Sequence, residues 1–370
     1  MRIINLVDRL DRVNFGIWNA SIATAGVLKE KFNVSSEIWF PEATREAEDS
    51  ELNGALPRGL ARLDKAQMES TASLAGLDPA TDIIVSHGCW QYPTRWGRLL
   101  KQKGFAWLAV PHGMLEQWSV SQKRLRKWIY FHSIEKPSLK QADKIRAVGR
   151  PELDSLKTVF KSNLVWLPNG VPPSDENADT ADKPLHRTVL FMARLHHKKG
   201  VLPMLEGWKA SQLCNREGYS LKIAGPDDGE LQKLEQFLKV NDSVSNVEYL
   251  GPVYGDKKEA LLRESHFYLL PSYSEGFPTS VLEAMLNGLV PVITSGCNFP
   301  DVFEKALGIR IEPSMESVRE AMDQVLSMDL AAYTELSAKS RDYIEENYTY
   351  DILATKQFDF YKRLLKRHQL

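Results

Sequence analysis

The sequence is poor in cysteine: Cys89, Cys214 and Cys297 stand far apart in 370 residues. An odd, scattered set excludes a disulfide framework and a zinc-type cysteine pair, and points to a reducing compartment. Long apolar runs are missing too. No uninterrupted stretch approaches the ~18 residues that a membrane-spanning helix needs, and the opening MRIINLVDRLDRV meets charges too early for a signal peptide. Charge of one sign is also lacking. Lys and Arg number 47 against 48 Asp and Glu, a net charge of −1, which argues against a protein devoted to nucleic-acid backbones. With 43% hydrophobic and 26% charged residues, the chain is expected to be a cytoplasmic globular protein. Its length suits two domains of ~150 residues each.

The balance hides a local asymmetry. Arg95 to Lys161 holds fifteen Lys or Arg against five Asp or Glu, while residues 162–370 carry 23 basic and 30 acidic side chains. A basic stretch of this kind is either a solvated helical face or a surface for an anionic membrane or phosphorylated partner. Trp118, Leu125, Trp128, Ile129, Tyr130 and Phe131 interleave with those charges. They fit a helix lying on lipid, and equally a core-facing stripe.

Short apolar strands alternate with helical segments along most of the chain. Ile3–Val7, Ser35–Phe40, Asp82–Ser86, Phe105–Val110, Ile145–Val148 and Asn163–Leu167 read as strands, with a loop through Asn14, Phe15 and Gly16 before a helix over Ile17–Lys31. Residues 41–75 carry no clear period. After Pro168-Asn-Gly-Val171 the polar stretch SDENADTADKP reads as a linker, and the alternation restarts with strands at Thr188–Met192, Leu221–Ala224, Val247–Leu250, Phe267–Leu270 and Pro291–Thr294. Helices are expected over Gly200–Glu217, Leu231–Val240, Lys257–Glu264 and Thr279–Asn287, then over three C-terminal segments from Ser317. This is the pattern of two α/β domains with parallel sheets covered on both faces. Expected boundaries are 1–170, a linker at 171–187, 188–350, and a final helix at 351–370 that crosses back to the first domain through Phe358, Phe360 and Tyr361. In open parallel sheets, ligands sit beyond the carboxyl ends of the strands. The residues that follow each strand are therefore the candidates for chemistry.

Arg194 and Lys199 follow the first strand of the second domain, just ahead of a helix start near Gly200. Cationic side chains beside exposed backbone N–H groups suit a pyrophosphate, although a solvated charge run is the plain alternative; no Walker loop is present. Further on, SYSEGFPTSVLEAM places Glu275 in a Gly/Pro loop after a strand and Glu283 in the next helix. Ser280 and Glu283 have capping-box spacing, so Glu283 either caps a helix or accepts ribose hydroxyls from its first turns. His87 and His112 each end a strand of the first domain and precede a glycine.

Arg194…Lys199-Gly200, joined to Glu275-Gly-Phe-Pro…Glu283-Ala and to Pro168-Asn-Gly-Val171, resembles the retaining, nucleotide-sugar-dependent glycosyltransferases of family 4, of the bacterial cell-surface polysaccharide type. The resemblance is clear over about 163–300 and fainter before. It implies a GT-B fold, two Rossmann-like domains across a cleft. It implies that Arg194 and Lys199 bind the donor diphosphate and stabilise its charge as the glycosidic oxygen leaves. Glu283 would hold the ribose, and Glu275 would face the transferred sugar with the amides of Gly276 and Phe277 nearby. Val253, Tyr254 and Gly225 would line the base and its wall. In the first domain it places Gly16 near the phosphate and His112 near the sugar, with His87 on the acceptor side. Arg150 and Glu152 replace residues that relatives carry, and their roles stay open. A UDP- or GDP-sugar is the implied donor, with no metal or other cofactor, since no Asp-x-Asp pair is present. The implied acceptor is a glycan, lipid-linked and used in polysaccharide or lipopolysaccharide synthesis, with peripheral contact to an anionic membrane and no nucleic-acid partner. The alternatives are a soluble small-molecule acceptor, a nucleotide-sugar epimerase, and an inactive GT-B binding module.

Overall fold

The computed structural model describes residues 1–62, 64–115, 128–173 and 187–368. The chain divides into two compact units: Met1–Val171 with Thr349–Leu370, and Pro172–Tyr348. Most of the expected linker, residues 174–186, lies outside the described residues, as do Trp118 and Leu125 of the basic stretch.

Among the described residues, the first unit holds β1 (Arg2–Leu6), β2 (Ser35–Pro41), β3 (Leu56–Leu60), β4 (Ile83–His87), β5 (Ala106–Val110), β6 (Lys144–Ala147) and β7 (Leu164–Trp166). They form a parallel sheet of order β3-β2-β1-β4-β5-β6-β7. Its strands are near-continuous apolar runs because helices cover both faces. One face packs Trp39, Trp96 and Trp107 together; another cluster gathers Trp18, Ile22, Ile38 and Phe40. The final helix, Tyr350–His368, belongs to this unit. Phe358 stacks on Phe32 at 4.2 Å between ring centroids, and Thr24 donates to Gln357 Oε1 at 2.7 Å.

The second unit holds β8 (Arg187–Met192), β9 (Tyr219–Ala224), β10 (Val247–Tyr249), β11 (Phe267–Leu270), β12 (Val290–Thr294) and β13 (Ile309–Ile311). Their order is β10-β9-β8-β11-β12-β13, again parallel. In both sheets the order reverses beside the first strand, between β1 and β4 and between β8 and β11. That reversal opens a crevice at the carboxyl ends, the usual ligand position of such sheets.

Two sequence expectations need correction, and two strands went unread. Residues 41–75 contain a strand, β3, that the pattern hides: LPRGL carries Pro and Gly, tolerated because β3 is an edge strand with β2 as its neighbour. The expected helix over Ile17–Lys31 is two helices, Phe15–Ile22 and Ala25–Phe32, so Gly16 lies in a first helical turn and not in a loop. The helix expected over Gly200–Glu217 stops at Ala210. There the Ser211 hydroxyl donates to Trp208 O at 2.7 Å and accepts from Leu213 N at 3.3 Å, which diverts the backbone into a turn. β13, three residues long, is too short to show a period.

Candidate donor site and its buried counterpart

The loops after β8 and β11 meet at the strand-order reversal of the second sheet. After β8 the chain passes Arg194, makes a tight turn over His197–Lys199, and enters the helix Val201–Ala210 through Gly200. Gly200 has φ +69°, and a Cβ there would lie 2.1 Å from Pro271 O, so a side chain is excluded on two counts. The close approach is then stitched: Tyr273 N donates to Lys198 O at 2.7 Å and Ser272 Oγ to the same oxygen at 3.0 Å.

This stitching sets Lys199 against Glu275. The ammonium lies 2.6 Å from both carboxylate oxygens, with side chains only 16% and 11% exposed. Glu275 is itself clamped through its backbone, N to Gly296 O at 2.8 Å and O to the Asn298 amide. Gly296 permits the clamp, because a Cβ would sit 2.6 Å from Tyr273 O. An ammonium has three N–H donors, so Lys199 has one to offer after serving Glu275.

Two further cation–carboxylate pairs lie on the same edge. Arg194 Nη1 donates to Asp228 Oδ2 at 2.7 Å, in the loop after β9, with both side chains more exposed. Glu283 accepts from Lys258 Nζ at 2.7 Å on Oε1. The helix bearing Glu283 begins at Thr279, after Pro278, and no side chain caps it. Ser280 is thus inside the first turn and the capping box does not form; Glu283 instead points at Lys258. Neither Asp228 nor Lys258 was legible as a site residue, since each partner is distant in sequence.

Gly225 closes β9 with φ +148°, and a Cβ there would stand 1.9 Å from Ala193 O. Its wall is held by Tyr249, whose hydroxyl donates to Gly225 O at 2.9 Å. Val253 is half-buried and Tyr254 exposed, in the loop after β10. The Phe277 ring turns toward Phe299 and Tyr348, at 6.0 and 6.2 Å between centroids. Gly276 lies between Glu275 and that ring, half-buried. The edge therefore offers cations and carboxylates side by side, which suits an anionic, hydroxyl-rich ligand.

The first unit's edge is built differently. His87 ends β4 and is buried; its Nδ1 lies 3.0 Å from His112 Nε2 and its Nε2 lies 3.1 Å from Asn5 Oδ1. Burial pushes both imidazoles well below their usual range, His112 to about 3, with the Arg146 guanidinium opposing a second cation. His112 has φ +54°, an uncommon backbone for a residue with a Cβ, and Gly113 follows at +74°. The buried Glu152 carboxylate holds this turn, accepting Gly113 N at 2.6 Å and Val148 N at 2.7 Å. Arg146 donates to Leu167 O at 2.6 Å, Pro168 O at 2.8 Å and Asn169 Oδ1 at 3.1 Å, so the Pro-Asn-Gly-Val turn is anchored from within the unit. Asn5, Arg146 and Glu152 had no motif to mark them as a network. Gly16 faces open space: a Cβ would meet nothing within 4 Å. Arg150 lies over the Trp166 ring at 5.2 Å.

Among the described residues, no group of three or more His, Cys, Asp or Glu is placed to hold a metal ion. Likewise, no helix is long and apolar enough to cross a membrane.

Comparison with known proteins bears on the family and on the fold. Residues 175–348 match the family model described as glycosyl transferases group 1. The chain is 26% identical to the GDP-mannose:cellobiosyl-diphosphopolyprenol alpha-mannosyltransferase of Komagataeibacter xylinus, over 65% of this chain and 61% of that protein. It is 25% identical to the 2-deoxystreptamine N-acetyl-D-glucosaminyltransferase of Niallia circulans, over 49% of this chain and 50% of that one. The matched stretches thus span less than two thirds of these relatives' own length. A glycosyltransferase structure from Rickettsia africae superposes with a TM-score of 0.79 at 17% identity, covering 99% of this chain and 98% of that one. Sucrose-phosphate synthase from Thermosynechococcus elongatus gives 0.79 at 16% identity, covering 99% and 100%. At these identities the solved structures speak to the fold, two Rossmann-like parallel-sheet domains of GT-B type. The chain has the GT-B fold, and its residues 175–348 are similar to the glycosyl transferases group 1.

Proposed function

We propose that this protein transfers a sugar, with retention of configuration, from a nucleotide-diphosphate sugar to an acceptor hydroxyl. The observation that carries the reading is the Lys199–Glu275 pair at the strand-order reversal, with Glu283 in the following helix. Lys199 and Arg194 neutralise the diphosphate and the charge that develops as it leaves. Ribose hydroxyls donate to Glu283, displacing Lys258. Glu275 faces the transferred sugar, with Gly276 and Phe277 beside it, and Val253, Tyr254 and Gly225 flank the base. Gly16 and His112 are the first domain's own site residues in this reading, and that domain holds the acceptor. Here the leaving phosphate helps to deprotonate the acceptor hydroxyl, and Glu275 is not a covalent nucleophile. A UDP- or GDP-sugar is the donor, and no other cofactor is required.

The acceptor is best read broadly, as a sugar or small-molecule hydroxyl. Similar proteins are named for both classes, a cellobiosyl-diphosphopolyprenol in one case and 2-deoxystreptamine in another. A lipid-linked glycan is the narrower reading, with the protein cytoplasmic and peripheral on the membrane's inner face. Trp128, Ile129 and Ile134 favour it, being exposed apolar side chains within the basic stretch.

Calorimetry with UDP, GDP and their sugars tests the donor, with Glu283→Ala and Arg194→Ala beside the wild type. One nucleotide should bind and both variants should weaken it by tenfold or more; no binding by the wild type would sink the transferase reading. Turnover with and without anionic vesicles then separates the acceptor classes, since a soluble acceptor needs none.

A further inference from the structure

We propose that Asn5 and His87 are positioning residues that hold His112 in the tautomer protonated at Nε2, leaving its Nδ1 as an acceptor for a ligand hydroxyl. The inference rests on the transferase reading only for the identity of that ligand.

The polarity of the chain starts at a group with one possible role. The Glu37 carbonyl of β2 can only accept, so its 3.3 Å contact makes Asn5 Nδ2 the donor. This fixes the amide's orientation and turns Oδ1 toward His87 Nε2, 3.1 Å away. Oδ1 can only accept, so His87 carries its proton on Nε2. His87 is 1% exposed and Asn5 2%, with no water-facing alternative for either. A neutral imidazole protonated on Nε2 has a bare Nδ1, and that atom lies 3.0 Å from His112 Nε2. His112 must then donate from Nε2. Among the described residues no hydrogen bond reaches its Nδ1, and the mostly buried residue keeps part of its surface exposed.

The surroundings keep the chain in this state. Arg146 on β6 is the fixed cation nearest in effect, and it disfavours a proton on either ring. Glu152, from the helix Arg150–Val159, spends both oxygens on the amides of Gly113 and Val148 and so holds the turn that carries His112. Asn5 pairs with Val85 in the β1–β4 ladder, so the relay starts in the middle of the sheet, where side-chain positions are set by packing on both faces. The result is a one-way relay from a β2 carbonyl to the sheet edge.

An unprotonated Nδ1 accepts from O–H or N–H and is repelled by a carboxylate or carbonyl oxygen. In the transferase reading, the donor sugar presents a hydroxyl to His112, and a uronic-acid sugar with a carboxylate at that position is refused.

The test is histidine nitrogen NMR on the full chain without ligand, with His112→Asn used to assign the signal. His112 should show a proton on Nε2 and a bare, pyridine-like Nδ1. In His87→Leu the partner is gone and His112 should become a mixture of tautomers. In His87→Gln an amide oxygen can replace His87 Nδ1, and the single tautomer should return. With the donor found by calorimetry, kcat/KM should fall about tenfold in His87→Leu and recover in His87→Gln, the size of one lost hydrogen bond. A wild-type His112 protonated on Nδ1, or a His87→Leu spectrum identical to wild type, overturns the proposal. Should His87→Leu fail to fold, the wild-type spectrum decides alone. The spectra need no donor, so absent turnover would sink the transferase reading and leave the tautomer result standing.

Discussion

The two sheet edges solve opposite electrostatic problems. The second unit's edge keeps its charges as cation–carboxylate pairs, from the largely buried Lys199 with Glu275 to the more exposed Lys258 with Glu283 and Arg194 with Asp228. Such pairs are interchangeable, because an arriving anion or hydroxyl can take over one partner at little net cost. The first unit's edge is largely buried and neutral in its imidazoles, and from Asn5 through His87 to His112 Nε2 each polar atom has a set partner, with only His112 Nδ1 left open. There a hydrogen-bond direction, once set, is expensive to reverse. The contrast teaches that the same sheet geometry can present exchangeable charge in one unit and fixed polarity in the other.

Breaking the exchangeable side should cost most. Lys199→Ala removes the proposed phosphate cation and leaves Glu275 without its partner; turnover should fall by about 10²–10³, as for loss of one preorganised charge-stabilising donor. Steady-state kinetics checks this, and a change within threefold would remove Lys199 from the mechanism. Gly225→Ala should destabilise the second unit by about 3 kcal/mol, since its Cβ would stand 1.9 Å from Ala193 O. Urea unfolding measures it, and an unchanged midpoint would contradict the close approach of these loops.

The fixed side answers to acid. Burial holds the folded His112 at about 3, below the ordinary ~6.5 of an unfolded imidazole. Between those values the unfolded chain binds the extra proton, so this group's share of stability is full above about pH 6.5 and declines as pH falls toward 3. Unfolding of wild type and His112→Asn should therefore diverge below pH 6.5, with wild type losing more; parallel curves would mean that His112 protonates while folded. The smallest effect sharpens the status of Gly16. Its position in a first helical turn, with open space at the Cβ, predicts that Gly16→Ala stabilises by about 0.5–1 kcal/mol. Weaker nucleotide binding in the same variant would support its proposed place beside the phosphate.

Much of the fold was legible because parallel strands buried on both faces write themselves as apolar runs. Phe267–Leu270 and Leu231–Val240 have the bounds their patterns imply. β3 was illegible for the converse reason: an edge strand needs neither continuous burial nor a full ladder, so Pro57 and Gly59 could stand in it. The candidate site was legible where a motif is local, as around Glu275. Its partners were not. Lys258 is 25 residues from Glu283 and Asp228 is 34 from Arg194, distances at which no spacing rule applies.

The sequence alone determined the twin α/β pattern, the strand-end loops, and the residue types suited to a diphosphate and a ribose, because periodicity and turn chemistry are local properties. Only the tertiary structure decided that Lys199 meets Glu275, that Ser280 does not cap its helix, and that a β2 carbonyl sets the direction of the hydrogen bonds ending at His112. Those depend on which strands become neighbours, and in a parallel sheet every neighbour is reached through a crossover that local sequence does not specify.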